Sequence, residues 1–496
     1  MLESSNTLRG MALQGMSRRK MAASLCGWAV FAVVLLAGGC SVHEGGFEDP
    51  IDAPARFVDA ADGSWSDSRV PERWWEVFGD EDLAVLQDRA LSANFDLAAF
   101  RERLRAAGAV VRRERAFLFP SLDFSAFGEQ TRRRSDDFTG EELYGGSLLG
   151  SYEVDLWGRI EAGADAAVFA RAVEEERLKA AAIALSAEVA RTWYALVEQR
   201  GQAAVLDEQI ATNEQVLRVV RARFGGGVVR ASDVLRQERL LESTREQAAA
   251  VRSDIEVLEH ALLVLAGVSP TAELRFETSV LPELPDAPAV GLPSKLVRRR
   301  PDVRAAFLAV RVADREVAVA IADRFPRLTL GLDGSTSADR LGDLFDDWAV
   351  TIAADLLGPI FDGGRREAEV ARAEALKREL INAYAQTVLE SFGEVLDAMS
   401  RERSRAEQIA RIRRQLDLAN RTTERLNREY LNGDIPYIDV LDALTTEQQL
   451  QRDLLAARFR RISDRIDLHA ALAGGWEGIV PTDESDARRA DAAGGE

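Results

Sequence analysis

Hydrophobic and polar positions follow two alternating periods along this chain. Residues 80–118 carry apolar positions at helical spacing and predict one helix, which Pro120 ends. Leu122, Phe124 and Ala126 then alternate with Ser121, Asp123 and Ser125. After a polar stretch at 129–146, read as a loop, Leu148, Gly150, Tyr152, Val154 and Leu156 alternate with Ser147, Leu149, Ser151, Glu153 and Asp155. A period of two predicts strands, so 119–157 reads as a β-hairpin. Residues 158–224 hold no proline and are rich in Ala, Glu, Arg and Leu. Ile183, Leu185, Val189, Trp193 and Leu196 form an apolar stripe within that run. As one helix it would be about 100 Å long, far beyond an ordinary globular helix of ~11–12 residues. A turn at 225–232 and a return helix follow.

The whole pattern then recurs at an offset of 206 residues. Phe119-Pro120-Ser121-Leu122 returns as Phe325-Pro326-Arg327-Leu328, and Gly158-Arg159 as Gly364-Arg365. Asp96 returns as Asp302, Glu188-Val189 as Glu394-Val395, Gly227 as Gly433, and Asp233-Val234-Leu235 as Asp439-Val440-Leu441. The second copy has its hairpin at 325–357, with Leu328, Leu330 and Leu332 and then Trp348, Val350, Ile352, Ala354 and Leu356 on one face. Its long helix is 364–430, its turn 431–438. The expected fold is mainly α with a small β part, in two tandem repeats at 72–268 and 295–474. Pro270, Pro282, Pro285, Pro288 and Pro293 mark an extended linker at 269–294. Residues 475–496 are small and acidic and read as a disordered tail.

Residues 1–39 read as an address. Arg18, Arg19 and Lys20 precede an apolar core at 21–36, and Ala37-Gly38-Gly39 leads to Cys40. The arrangement resembles a bacterial lipoprotein signal, although Leu36 stands one residue further from the Cys than the usual box has it. The resemblance implies cleavage before Cys40 and a covalent lipid on it; an ordinary signal peptide is the alternative. Ser41, which is not Asp, favours the outer membrane in such lipoproteins. Residues 40–71 would then be an extended tether.

Composition removes several function classes. The net charge is −19, and loss of the signal's +3 takes it to −22, which argues against a nucleic-acid partner. Cys26 and Cys40 are the only cysteines and His43, His260 and His469 the only histidines, so neither a disulfide framework nor a histidine-rich metal site is expected. His260 and His469 read as packing or hydrogen-bonding residues. No Gly-Lys-Ser/Thr phosphate loop occurs, so the chain does not power transport. Met399 is the one methionine after residue 39, which disfavours a soft-ligand Cu(I) path. No catalytic constellation, cofactor or metal site is expected.

A water-soluble sheet would show the same alternation as these strands. Length and company favour a membrane: strands of about 9–11 residues with a polar inner face suit an outer-membrane barrel. Four strands cannot close one, and an open edge in lipid leaves backbone groups unpaired. At least two chains must therefore share a barrel.

Two copies of helix, hairpin, long helix and return helix resemble the TolC-like outer-membrane efflux proteins, over roughly residues 72–474. The carriers are Phe119–Leu122, Val154–Arg159, Phe325–Leu328, Pro359–Arg365, and the tip motifs Arg223–Gly227 with Asp233–Leu235 and Tyr430–Gly433 with Asp439–Ala443. With Cys40, the chain looks like the lipoprotein branch that serves resistance-nodulation-division (RND) pumps. The resemblance implies a homotrimer, a shared barrel of twelve strands, and a long α-helical barrel crossing the periplasm. It implies a passive exit duct that exports small molecules such as drugs when docked to a periplasmic adaptor and an inner-membrane RND pump. It places adaptor docking at the tips, with Phe224, Gly227, Val234, Leu235, Tyr430, Gly433, Val440 and Leu441 as the candidates. These residues would equally serve to shape a helical hairpin. Asp417, Asn427 and Asp434 are gate candidates, with Asn427 standing where drug-efflux relatives lead us to expect Asp. A protein-secretion duct and a lipid-anchored structural coiled coil are the alternatives.

Overall fold

A computed structural model describes His43, Gly46, Phe276 and residues 73–134, 138–273, 278–285 and 299–472. The signal peptide, Cys40, most of the tether, much of the linker and the acidic tail lie outside the described residues. The chain forms two compact units. Among the described residues, one comprises His43, Gly46 and residues 109–134, 138–169 and 311–379; the other comprises Phe276 and residues 73–108, 170–273, 278–285, 299–310 and 380–472.

The first unit holds a four-stranded antiparallel sheet, β1 (Ser121–Arg134), β2 (Phe138–Val154), β3 (Arg327–Ala338) and β4 (Trp348–Leu357), paired in that order. Directly opposite residues share a face. Leu122 pairs with Gly150, Gly150 with Leu332, and Leu332 with Ile352, an apolar row. The row beside it is Asp123, Leu149, Asp333 and Thr351. β1 and β2 are longer than the alternation predicts, because the stretch read as a loop at 129–146 is largely ladder. There Gln130 pairs with Glu142 and Glu129 with Leu143. Backbone hydrogen bonds make a strand whatever its side chains, so polarity on both faces hid this part. At the base, the Trp157 ring stacks on Phe325 at 4.7 Å, and its Nε1 donates to the Pro326 carbonyl at 2.7 Å.

The α-helices among the described residues are α1 (Glu81–Ala93), α2 (Phe95–Ala116), α3 (Arg159–Gly225), α4 (Ala231–Leu265), α5 (Pro301–Ala322), α6 (Arg365–Asn432) and α7 (Tyr437–Ala471). Residues 80–118 are thus two helices rather than the expected one. Asn94 breaks them: its Oδ1 accepts from the Leu97 N–H at 3.0 Å and its Nδ2 donates to the Leu265 carbonyl at 3.0 Å. Asn prefers this capping role to a helix interior.

In the second unit, Leu97, Leu104, Leu178 and Ala182 form a core between α2 and α3. Trp74 stacks on His469 at 5.5 Å. His469 is a packing residue whose pKa burial lowers to about 4, with the Arg465 charge acting the same way. His260 lies exposed on α4.

Candidate functional site

The two long helices end identically. At the end of α3, the Val228 N–H donates to the Arg223 carbonyl and the Gly227 N–H to the Phe224 carbonyl, both at 2.9 Å. At the end of α6, the Asp434 N–H donates to the Glu429 carbonyl and the Gly433 N–H to the Tyr430 carbonyl, both at 3.0 Å. This is a Schellman closure, and Gly227 and Gly433 supply its left-handed residue with φ of 71° and 88°. The 206-residue offset therefore holds at the level of single hydrogen bonds.

The return helices differ in their first turn. Asp233 stands at the third helical position of α4, inside the cap, and its carboxylate accepts from the Arg230 backbone N–H at 3.2 Å. Negative charge is favoured at that end of a helix. Asp439 holds the same place in α7, but the cap there is Pro436, which has no N–H to give. One tip thus carries a hydrogen bond that the other cannot form.

Val220, Tyr430, Tyr437, Val440 and Leu441 bury one cluster between the two tips, with Val216, Val234, Leu240 and Ile438 packed against it. Arg223 closes it from above: its guanidinium lies 4.5 Å from the Tyr430 ring centre and donates to the Tyr430 carbonyl at 3.2 Å. The Tyr437 hydroxyl donates to Gln237 Oε1. Burial pushes that hydroxyl well above its ordinary pKa.

The predicted docking residues therefore separate into two groups. Tyr430, Val440 and Leu441 are buried and Val234 packs on them, so these four shape the tip. Phe224 and Leu235 are 47% and 63% exposed, and the Gly227 and Gly433 turns are exposed with them. Val228 and Leu431 are exposed apolar tip residues that the motifs did not single out. Val220 was legible as one helical turn before Arg223; Tyr437 carried no motif. Asp417, Asn427 and Asp434 are all exposed, with Asp417 3.9 Å from Arg421. Asp417 and Asn427 stand about 15 Å apart along α6, so one chain does not assemble the gate candidates.

The sheet is the other functional surface. Among the described residues no helix is long and apolar enough to cross a membrane. The even-numbered face of the sheet instead exposes Phe124, Trp348, Val350, Ile352 and Leu356, an apolar face without cover in one chain. Among the described residues no group of three or more His, Cys, Asp or Glu could hold a metal ion.

Residues 86–268 and 292–474 match the family described as outer membrane efflux protein. The chain belongs to that family. It is 30% identical to the pyoverdine export outer membrane protein OpmQ of Pseudomonas aeruginosa over 90% of this chain and 97% of that one. It is 27% identical to the cation efflux system protein CusC of Escherichia coli O6:H1 over 92% of this chain and all of that one. Among solved structures, the outer-membrane channel OprN superposes with a TM-score of 0.82 at 25% identity, covering 88% of this chain and 100% of that one. This efflux-family chain is an outer-membrane channel protein, and the two matched stretches are its two repeats.

Proposed function

We propose that three copies close one twelve-stranded barrel and form the passive exit duct of a tripartite efflux system. The observation that carries this is the sheet: an exposed apolar face bounded by two unpaired edges, β1 and β4. In lipid those edges must pair, and another copy supplies the partner. The acids Asp123, Glu129, Asp333 and Asp355 stand on the odd-numbered face and would give the lumen a negative field. A periplasmic adaptor docks on the tips through Phe224 and Leu235, an RND pump energises transport, and a lipid on Cys40 adds an anchor. The substrates are small molecules, the class that the relatives' names share.

The internal repeat supports one register for the joint. The pair Arg327 and Leu357 corresponds to Ser121 and Ser151 at the 206-residue offset, so β3 stands for β1 and β4 for β2. Transferring the β2–β3 pair Ser147 and Ser335 sets Ala353 of one copy opposite Glu129 of the next. Oxidation of the Ala353→Cys/Glu129→Cys protein in outer membranes is expected to give a reducible covalent trimer. Partnering Ala353→Cys with Phe127→Cys or Thr131→Cys should crosslink less. A monomer under all three conditions would rule out closure through these edges.

Docking has its own test. Leu235→Asp should leave the amount and assembly of the channel unchanged and remove efflux in a strain lacking the native gene. Undiminished efflux would take Leu235 out of the docking face.

A further inference from the structure

Asp314, in the middle of α5, is 2% exposed. A buried carboxylate is costly unless it is paired, so its neighbours are informative. Lys377 of α6 places Nζ 2.6 Å from Oδ1, and His43 places Nε2 3.0 Å from the same oxygen. The Arg315 guanidinium stands 3.8 Å from Oδ2. Lys377 Nζ also donates to the Gly46 carbonyl at 3.0 Å. A lysine alone would neutralise the carboxylate. Here the pair also holds two points of the segment that follows Cys40, one by its side chain and one by its backbone. Burial raises the Asp314 pKa, but hydrogen bonds from Lys377 and His43 outweigh it and hold the group below the usual carboxylate value. The carboxylate is therefore charged at neutral pH.

We propose that Asp314 and Lys377 form a docking site for the chain's own N-terminal segment, and that this clamp fixes where the lipid on Cys40 enters the bilayer. The proposal rests on the lipoprotein reading of Cys40. His43 follows Cys40 by three residues, a reach of about 10 Å. Lys377 lies about 18 Å along α6 from Arg365, the first residue of that helix after β4. An untied tether over 40–71 would let the anchor wander by tens of Å. Clamped, Cys40 can lie no further than about 10 Å from His43, which is held on the unit that carries the strands. The lipid and the strands then enter the membrane side by side.

Two measurements on the full-length, detergent-solubilised channel test this. The first is hydrogen–deuterium exchange of a peptide spanning 41–50. We expect slow exchange in the wild type and exchange about tenfold faster in His43→Ala, since protection follows the contacts that hold a segment. His43→Ala keeps the Asp314–Lys377 pair, so folding is preserved; the strands β1–β4 serve as the internal control. An Asp314→Leu/Lys377→Met double variant, which removes both charges of the pair together, should release the peptide equally. Rapid exchange in the wild type, or unchanged exchange in both variants, overturns the clamp. The second measurement is palmitate labelling. Labelled wild type and labelled His43→Ala support the anchoring role; an unlabelled wild type overturns it, whatever the exchange shows.

Discussion

Arg465→Met is expected to destabilise the helical unit by about 3–5 kcal/mol, the usual cost of stripping one partner from a buried ion pair. Arg465 is 1% exposed on α7 and Glu402 is buried on α6. The guanidinium grips the carboxylate with two nitrogens: Nε donates to Oε2 at 3.0 Å, and Nη2 donates to Oε1. Its third nitrogen donates to the Pro285 carbonyl at 2.9 Å. One side chain thus ties two long helices to the linker. Methionine fills a similar volume and leaves the charge of Glu402 buried, with the Arg461 guanidinium 3.8 Å away. The Arg465→Met/Glu402→Met protein should recover most of the loss, because no unpaired charge remains. Thermal unfolding of the solubilised channel, followed by circular dichroism at the helical band, measures both variants. A single variant as stable as wild type would mean that the pair contributes nothing.

The repeat, the strands and the turns were legible because each leaves a local or periodic mark. Ile352 and Thr351 announce their faces by alternation. Gly227 and Gly433 announce a left-handed turn by the absence of Cβ. The seam of the helical unit leaves no such mark. Asn213, Gln209, Gln237 and Gln448 look like solvated helix residues, yet all four are buried. Gln448 Nε2 donates to Asn213 Oδ1 at 3.0 Å, Gln209 Nε2 to the Gln448 carbonyl at 3.0 Å, and Gln237 Nε2 to the Asn213 carbonyl at 3.0 Å. A buried amide is stable only when such partners exist, and Gln448 and Asn213 are 235 residues apart in sequence. The tips follow the same rule. Tyr430, Val440 and Leu441 stand in motifs that suggest a contact surface, and only the fold shows them turned inward on Val220 and Tyr437. Position along the chain identified the tip; burial decided which of its residues face outward.

The sheet offers a comparison in which two neighbouring residues should give opposite outcomes. Ile352 is 82% exposed and belongs to the apolar row with Leu332 and Leu122, the face assigned to lipid. Thr351 pairs with Asp333 in the polar row, the face assigned to the lumen. Arginine on a lipid face costs about 2–4 kcal/mol near the bilayer midplane, and a barrel of three copies meets that cost three times. Ile352→Arg is therefore expected to be nearly absent from the outer-membrane fraction and to lose efflux with it. Thr351→Arg adds the same side chain one residue earlier, where water and acids receive it. It should reach the membrane at the wild-type level. Its charge opposes the negative field proposed for the lumen, so cationic substrates should leave more slowly while neutral ones are unaffected. Quantifying both proteins in outer-membrane fractions, and then the efflux of a cationic and a neutral dye, separates the two effects. If Thr351→Arg fails to assemble while Ile352→Arg succeeds, the two faces are reversed. If both assemble equally, the strands do not lie in lipid at all, because only a low-dielectric face makes one arginine intolerable and its neighbour harmless.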